Sequence, residues 1–146
     1  MRRAEALRAL SRDHHVALVV ARLLRRAGAD DAEEARRRFL GFWEEHGRGH
    51  FRAEEEVLLP TYVLRGAEPD LDLVQRILLD HLLIRAAAAR LAGPAAERQE
   101  LNALGARLDE HVRIEERRLF PLIERALDDA ELASLARALE ADGDAG

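Results

Sequence analysis

The stretch HFRAEEEVLLP, beginning at His50, is written a second time as HVRIEERRLFP, beginning at His111. His, Arg, two successive Glu, Leu and Pro recur at the same places. This repeat constrains the fold first, because whatever local geometry it imposes is imposed twice. In each copy a histidine stands four residues before a glutamate: His50 with Glu54, His111 with Glu115. On a helix that spacing puts each pair on one face, one turn apart. The spacing alone says little, since a chain with 17 Glu produces such a pair by chance. The shared frame carries the information.

Glycine and proline divide the chain into segments of helical periodicity. A first runs from about Ala4 to Ala27 and stops at Gly28. A second starts near Asp30, contains the first copy and ends by Gly66. EPD at Glu68 to Asp70 puts Pro69 in the first turn of a third, which closes at Gly93. Pro94 starts a fourth, running through the second copy to about Leu127. DDAE at Asp128 reads as a capping box opening a short fifth helix over about 129–141, before an acidic, Gly-rich tail expected to fray. Four long helices on short connections predict an all-α, antiparallel up-down four-helix bundle with a short additional C-terminal helix, a single domain over residues 1–146. Some residues resist this reading. Gly47 and Gly49 each cost about 1 kcal/mol inside the second helix, and Pro60 and Pro121 are expected to kink or end theirs.

Composition agrees with helix and narrows the function. Ala, Leu, Arg and Glu dominate, aromatics are 4%, and these residues lose little rotamer freedom in a helix. All 23 Lys and Arg are arginine, which reads as GC-rich bacterial coding. They are interleaved with carboxylates and the net charge is −5, so a nucleic-acid partner has no electrostatic support. Without cysteine there is no disulfide and no thiolate metal site. The apolar run Val16 to Ala21 is too short to span a membrane, and the charges of MRRAEALRAL stand where a signal peptide needs an apolar core. A soluble protein of the bacterial cytoplasm, with no membrane partner, is expected.

A second element also repeats. DHH at Asp13 and DHL at Asp80 put an Asp-His pair near the middle of the first and third helices. Helices one and two therefore resemble helices three and four, as two related hairpins about an approximate two-fold axis. The faces of these residues decide more than the repeats. His14 lies along the stripe of Leu7, Leu10, Ala17, Leu18 and Ala21, whereas His15 shares a face with Arg8, Arg12, Arg22 and Arg26 and is expected at the surface. His81 is flanked by Val74, Ile77, Leu78, Ile84 and Ala88. His50 and Glu54 align with Phe42, Trp43, Val57 and Leu58, and His111 and Glu115 with Leu104, Leu108, Ile114 and Leu119. Each helix thus turns a histidine inward, and two add a carboxylate.

Any one of these residues is accounted for by a core hydrogen bond or a surface ion pair. Six together are not, because an unpaired carboxylate loses several kcal/mol of hydration in an apolar interior. A metal accounts for all six at once. Imidazole with carboxylate and no thiolate suits iron, manganese or zinc. Four His and two Glu exceed one tetrahedral zinc but fit two octahedral ions, with about twelve coordination positions between them. The remaining positions fall to an oxo or hydroxo bridge and exogenous ligands. The arithmetic points to a dinuclear, carboxylate-bridged centre, with iron the first choice and zinc or manganese left open.

From Leu10 to Leu122 the chain resembles the hemerythrin-like (HHE cation-binding) domains. The resemblance rests on DHH, HFRAEEEVLLP, DHLLIR and HVRIEERRLFP. It implies a four-helix bundle with a non-haem di-iron site whose ligands are His14, His50, Glu54, His81, His111 and Glu115, the two glutamates bridging. Ferritin-like di-iron bundles match less well, since they use Glu-x-x-His. In one respect the chain departs from the oxygen-carrying hemerythrins. They have a fifth histidine, one turn from the third-helix histidine, where this chain has Ile77 and Arg85, so reversible oxygen carriage is not implied. His46, one turn before His50 on the inward face, is an additional ligand or a residue behind the ligands that lines the pocket, and Arg85 stands behind the ligands or steers an anion.

Three functions follow from such a centre. The first is binding or sensing of a small molecule (O2, NO or peroxide) at an open position lined by Leu18, Val57, Ile84 and Ile114. The second is a peroxidase or oxidase using the same centre. The third is iron sensing or storage, or structure stabilised by metal. A metal-binding and ligand-binding protein is expected ahead of a dedicated enzyme, as a monomer or as a homodimer through the Arg-rich first helix or the fifth helix.

Overall fold

The computed structural model describes residues 2–93 and 97–145. Among them there is no strand, and no helix is long and apolar enough to cross a membrane. Four helical rods form the bundle. The first is α1 (Glu5–Arg26). The second is continuous through α2 (Ala32–Phe42), a wide π turn at Trp43–Gly47, α3 (Arg48–Ala53), a second π turn at Glu54–Leu58, and α4 (Leu59–Arg65). The third is α5 (Leu71–Ala92). The fourth runs through α6 (Arg98–Ile114), a π turn at Glu115–Leu119 and α7 (Phe120–Ala126), before α8 (Asp129–Ala145).

The helix starts have identifiable chemistry. Pro69 is not in the first turn of α5: Asp70 is the N-cap, its carboxylate accepting the Leu73 N–H at 3.0 Å. The Asp70 N–H in turn donates to Tyr62 Oη at 2.9 Å, which leaves Pro69 outside the helix. The expected start at Pro94 lies outside the described residues; α6 begins behind a capping box of Glu97 and Glu100. The Asp128/Glu131 box opens α8 as expected. α8 continues to Ala145, past the expected end near 141, and Arg52 donates to the Asp142 carbonyl at 3.5 Å.

Neither repeated proline ends its rod. Each π turn widens the ring to i→i+5: the Leu59 N–H bonds to the Glu54 carbonyl, and the Phe120 N–H to the Glu115 carbonyl. Pro60 and Pro121 then fall in the first turn of α4 and α7, where a missing N–H costs little. Gly47 is required by packing, since a Cβ there would lie 2.7 Å from Trp43 Cε3, whereas Gly49 faces open space. At the contact of α1 with α6, a Cβ on Gly105 would lie 2.6 Å from the backbone nitrogen of Arg25, so glycine sets that close approach.

The core is split in two. One apolar cluster contains Leu24, Phe39, Trp43, Ile84 and Leu108; the other contains Leu7, Leu58, Ile77, Leu119 and Phe120. Burying each such side chain contributes about 1.5–3 kcal/mol. Between the clusters lies a polar layer.

Candidate metal centre

That layer consists of His14, His50, Glu54, His81, His111 and Glu115, all buried, with Asp80 behind it. The six residues expected to face inward therefore do so, and they converge. Glu54 Oε2 lies 3.1 Å from His50 Nε2, and Glu54 Oε1 lies 3.1 Å from His81 Nε2. Glu115 Oε1 lies 2.9 Å from His14 Nε2, and Glu115 Oε2 lies 3.0 Å from His111 Nε2. Each carboxylate thus gives one oxygen to each hairpin's pair of imidazoles. Two four-residue groups result, His14/His50/Glu54/Glu115 and Glu54/His81/His111/Glu115, each with its ligand atoms within 4.8 Å of one another.

The two groups differ in how their atoms are satisfied. In the first, imidazole and carboxylate are hydrogen-bonded to each other. In the second, His81 Nε2, His111 Nε2, Glu54 Oε1 and Glu115 Oε2 are buried without a hydrogen-bond partner among the described residues. Their mutual distances are short, but their angles do not make hydrogen bonds. Four orphaned atoms in a dry core cost about 1–3 kcal/mol each. Two imidazole nitrogens and two carboxylate oxygens converging in this way fit the donor set of a first-row divalent cation.

Behind the layer every imidazole has a partner on Nδ1. His14 meets Glu116 at 2.6 Å, His50 meets Asp13 at 3.0 Å, His81 meets Glu55 at 2.7 Å and His111 meets Asp80 at 3.1 Å. These four carboxylates were missed as functional residues, although both signals were in the sequence. Asp13 and Asp80 are the aspartates of the Asp-His pairs, each bonding the histidine of the following helix and not its own neighbour. Glu55 and Glu116 are the second glutamates of the repeat, each bonding the histidine of the other hairpin. The outer carboxylates are held in turn: Arg85 donates to both oxygens of Glu55, and Ser11 and Arg3 to Glu116.

Burial opposes charge on all four imidazoles, yet the surrounding carboxylates outweigh it. Against that burial, Glu115 and Glu116 hold the His14 pKa above its ordinary value, and Glu54 with Asp13 holds that of His50 well above. Glu115 and Glu54 raise His81 to about 9, and Glu115 with Asp80 raises His111 to about 10. Burial pushes the Glu115 carboxyl up, but the His111 charge and the hydrogen bonds around it hold it well below the usual carboxylate range. Without metal, the surrounding carboxylates favour a proton on each imidazole.

His46 does not stand among the inward donors and the cavity is lined differently than expected, whereas Arg85 stands behind the centre through Glu55. His46 instead lines a wide outer groove, exposed, with Nδ1 3.8 Å from Asp13 Oδ1; the π turn at Trp43–Gly47 breaks the α-helical phase that would have aligned it with His50. Arg85 braces Glu55 and lies over the rings of Trp43 and Phe51, so it supports the centre from outside. The cavity beside the centre is not lined by Leu18, Val57, Ile84 or Ile114. It has a volume of about 10 Å3 and is bounded by His14, His50 and His111 with Ala17, Phe42 and Phe51 among others. Ile84 is packed into the core, and the other three are partly buried against the clusters. His15 is exposed, as its face predicts. A much wider groove, about 1690 Å3, runs between α1, the second rod and α8 and reaches Asp13 and His50 from outside.

In comparison with known families, the profile described as "Hemerythrin HHE cation binding domain" matches residues 5–123. Comparisons with curated proteins and with solved structures return no match. α8 lies beyond the matched region. The repeated motif, the helical bundle and the paired His/Glu groups are all inside it, and the chain belongs to the hemerythrin HHE cation-binding domain family.

Proposed function

We propose that the protein holds two iron ions and binds or senses a small ligand such as O2, NO or peroxide. One ion would be held by His14, His50, Glu54 and Glu115 and the other by His81, His111, Glu54 and Glu115, the two carboxylates being shared by both groups. Each octahedral ion then keeps about two positions for non-protein ligands. Zinc or manganese would fit the same donors. Iron is preferred because imidazole and carboxylate suit it and the family is hemerythrin-like. Bound iron supplies reversible electron transfer and an open coordination position.

The observation that carries this reading is the cavity of about 10 Å3 against His14, His50 and His111. It has room for about one water-sized molecule. Ala17, Phe42, Phe51, Leu108 and Val112 give it an apolar wall beside the three imidazoles. The outer carboxylates fix each ring with Nε2 inward and raise its basicity. With Ile77 and Arg85 in place of a further histidine, each ion has the same four donors, which favours ligand chemistry over oxygen carriage.

The test is anaerobic ferrous protein mixed with NO and, separately, with air. A ligand-to-iron absorption band should appear within the mixing experiment. A sample holding two irons per chain whose spectrum does not change would overturn the small-ligand reading. A second reading, a peroxidase or oxidase at the same centre, is favoured by the wide groove, where a reductant would stand against Asp13 and His50. Peroxide turnover with an added reductant, lost in His81→Ala, separates it from binding alone.

A further inference from the structure

α5 presents a face left bare among the described residues. Leu71, Leu78, Leu79, Leu82 and Leu83 are 54%, 42%, 51%, 61% and 37% exposed. Leu78 was expected beside His81 in the interior and instead faces outward. At 100° per residue, Leu71, Gln75, Leu78, Leu82, Ala86 and Ala89 fall within about 40° of one line, about 27 Å long. Of the charges between Leu78 and Ala89, Asp80 is buried against His111, and Arg85, about 60° round from the line, is held by Glu55. α1 also exposes Val16, Val19 and Leu23, but Arg12, His15, Arg22 and Arg26 stand exposed among them. The bare leucines of α5 form a patch on the order of 400 Å2, a size that in soluble proteins often marks an interaction site.

We propose that this face is a homodimer interface, covered by α5 of a second copy running antiparallel about a two-fold axis beside residue 81. The pattern is self-complementary under that operation. Its N-terminal half carries Leu71, Gln75 and Leu78, and its C-terminal half carries Ala86 and Ala89. A two-fold axis lays the large half of one helix on the small half of the other. Leu78 then enters between Leu82 and Ala86 of the second copy, Gln75 meets its Ala86 and Ala89, and Leu79 meets its Leu83.

The charges agree with the same register. Asp72 and Arg90 lie nine residues either side of position 81 and on the same edge of the helix, each about 80° round from Leu82. Antiparallel pairing therefore brings Asp72 of each copy to Arg90 of the other. Among the described residues Asp72 has no ion-pair partner, and the Arg90 side chain, 55% exposed, meets both oxygens of Glu100 at 3.2 and 3.3 Å. The leucines, alanines and flanking polar groups together fall short of the roughly 800 Å2 per partner of a standard interface, so the dimer is weak and reversible.

Sedimentation velocity of the full chain, from about 5 to about 500 μM, tests this. The mass should rise from 16.4 kDa towards twice that value. Leu82→Asp should stay at one chain throughout with an unchanged circular dichroism spectrum, because the residue is exposed. Val19→Asp, on α1, should associate like the native chain. Asp72→Arg and Arg90→Asp should each weaken association at least about tenfold, and the double variant should restore it. A single-chain mass across the whole range gives the face to some other occupant and overturns the proposal, as does undiminished association of Leu82→Asp. Failure of the double variant to recover overturns the antiparallel register.

Discussion

Glu55 Oε2 stands 2.7 Å from Nδ1 of His81, while its neighbour Glu54 faces Nε2 of the same ring at 3.1 Å. Two successive glutamates thus grip one imidazole of the other hairpin from both ends. Glu115 and Glu116 do the same to His14, at 2.9 and 2.6 Å. This explains why the repeat preserves a second glutamate, and why a π turn opens at the first. Cross-gripping also ties the hairpins together, so the centre and the bundle are built by the same contacts.

The outer glutamates should therefore matter to metal without touching it. Glu55→Gln and Glu116→Gln keep an acceptor for the imidazole N–H and remove the charge. Each is expected to lower metal affinity by about 10–100-fold with the helical spectrum intact. Competition with a chromophoric chelator reads this directly, and native affinity in both variants would show that the second glutamate only packs.

Histidine substitutions separate the inward from the outward positions. His14→Ala should lose metal, while His15→Ala and His46→Ala should retain native content, because both of those rings are exposed. Metal loss in His46→Ala would mean that the ring swings inward on loading.

Three glycines in the helices should respond differently to alanine. Gly105→Ala forces a Cβ to 2.6 Å from backbone that cannot move aside, and Gly47→Ala forces one to 2.7 Å from the Trp43 ring. Overpacking of this kind costs about 1–3 kcal/mol, more at Gly105. Gly49→Ala meets nothing within 4 Å and should stabilise by up to about 1 kcal/mol. Chemical denaturation of the three variants checks the order.

Acidity gives a further prediction with a definite sign. His81 and His111 titrate in the folded, metal-free chain at about 9 and about 10, above the ordinary imidazole value of 6.5. Their stabilising contribution is complete below that ordinary value and is lost as pH rises through 9 to 10. The metal-free protein should accordingly lose thermal stability from neutral pH towards pH 10. Metal needs neutral imidazoles, so loading at neutral pH should release protons and tighten as pH rises. Calorimetry in buffers of different ionisation enthalpy measures the release, and zero protons displaced would contradict protonated imidazoles in the metal-free layer.

The architecture and the six central residues were legible because they rest on strong signals. Gly28, Gly66 and Gly93 bound the rods, and the inward faces of His14, His50, His81 and His111 follow from apolar periodicity over several turns. The π turns were not legible. One extra residue per turn barely disturbs a hydrophobic stripe, yet it accommodates Pro60 and Pro121 and turns His46 out to solvent. Leu78 misled for a related reason: it lies only about 60° round the helix from His81, within the apolar arc, and only the packing of α5 shows which edge of that arc is bare. The cavity wall depended on how the rods meet, as at Phe42 and Phe51, which no single helix pattern contains.

Metal content measured on the native chain and on Glu115→Ala tests the central claim most directly. Elemental analysis of protein purified without added metal should give two iron ions per native chain. Because Glu115 gives an oxygen to each group, the variant should lose both ions together. Fewer than one metal per native chain, or a Glu115→Ala protein that still holds two, would contradict a carboxylate-bridged pair at the centre of this bundle.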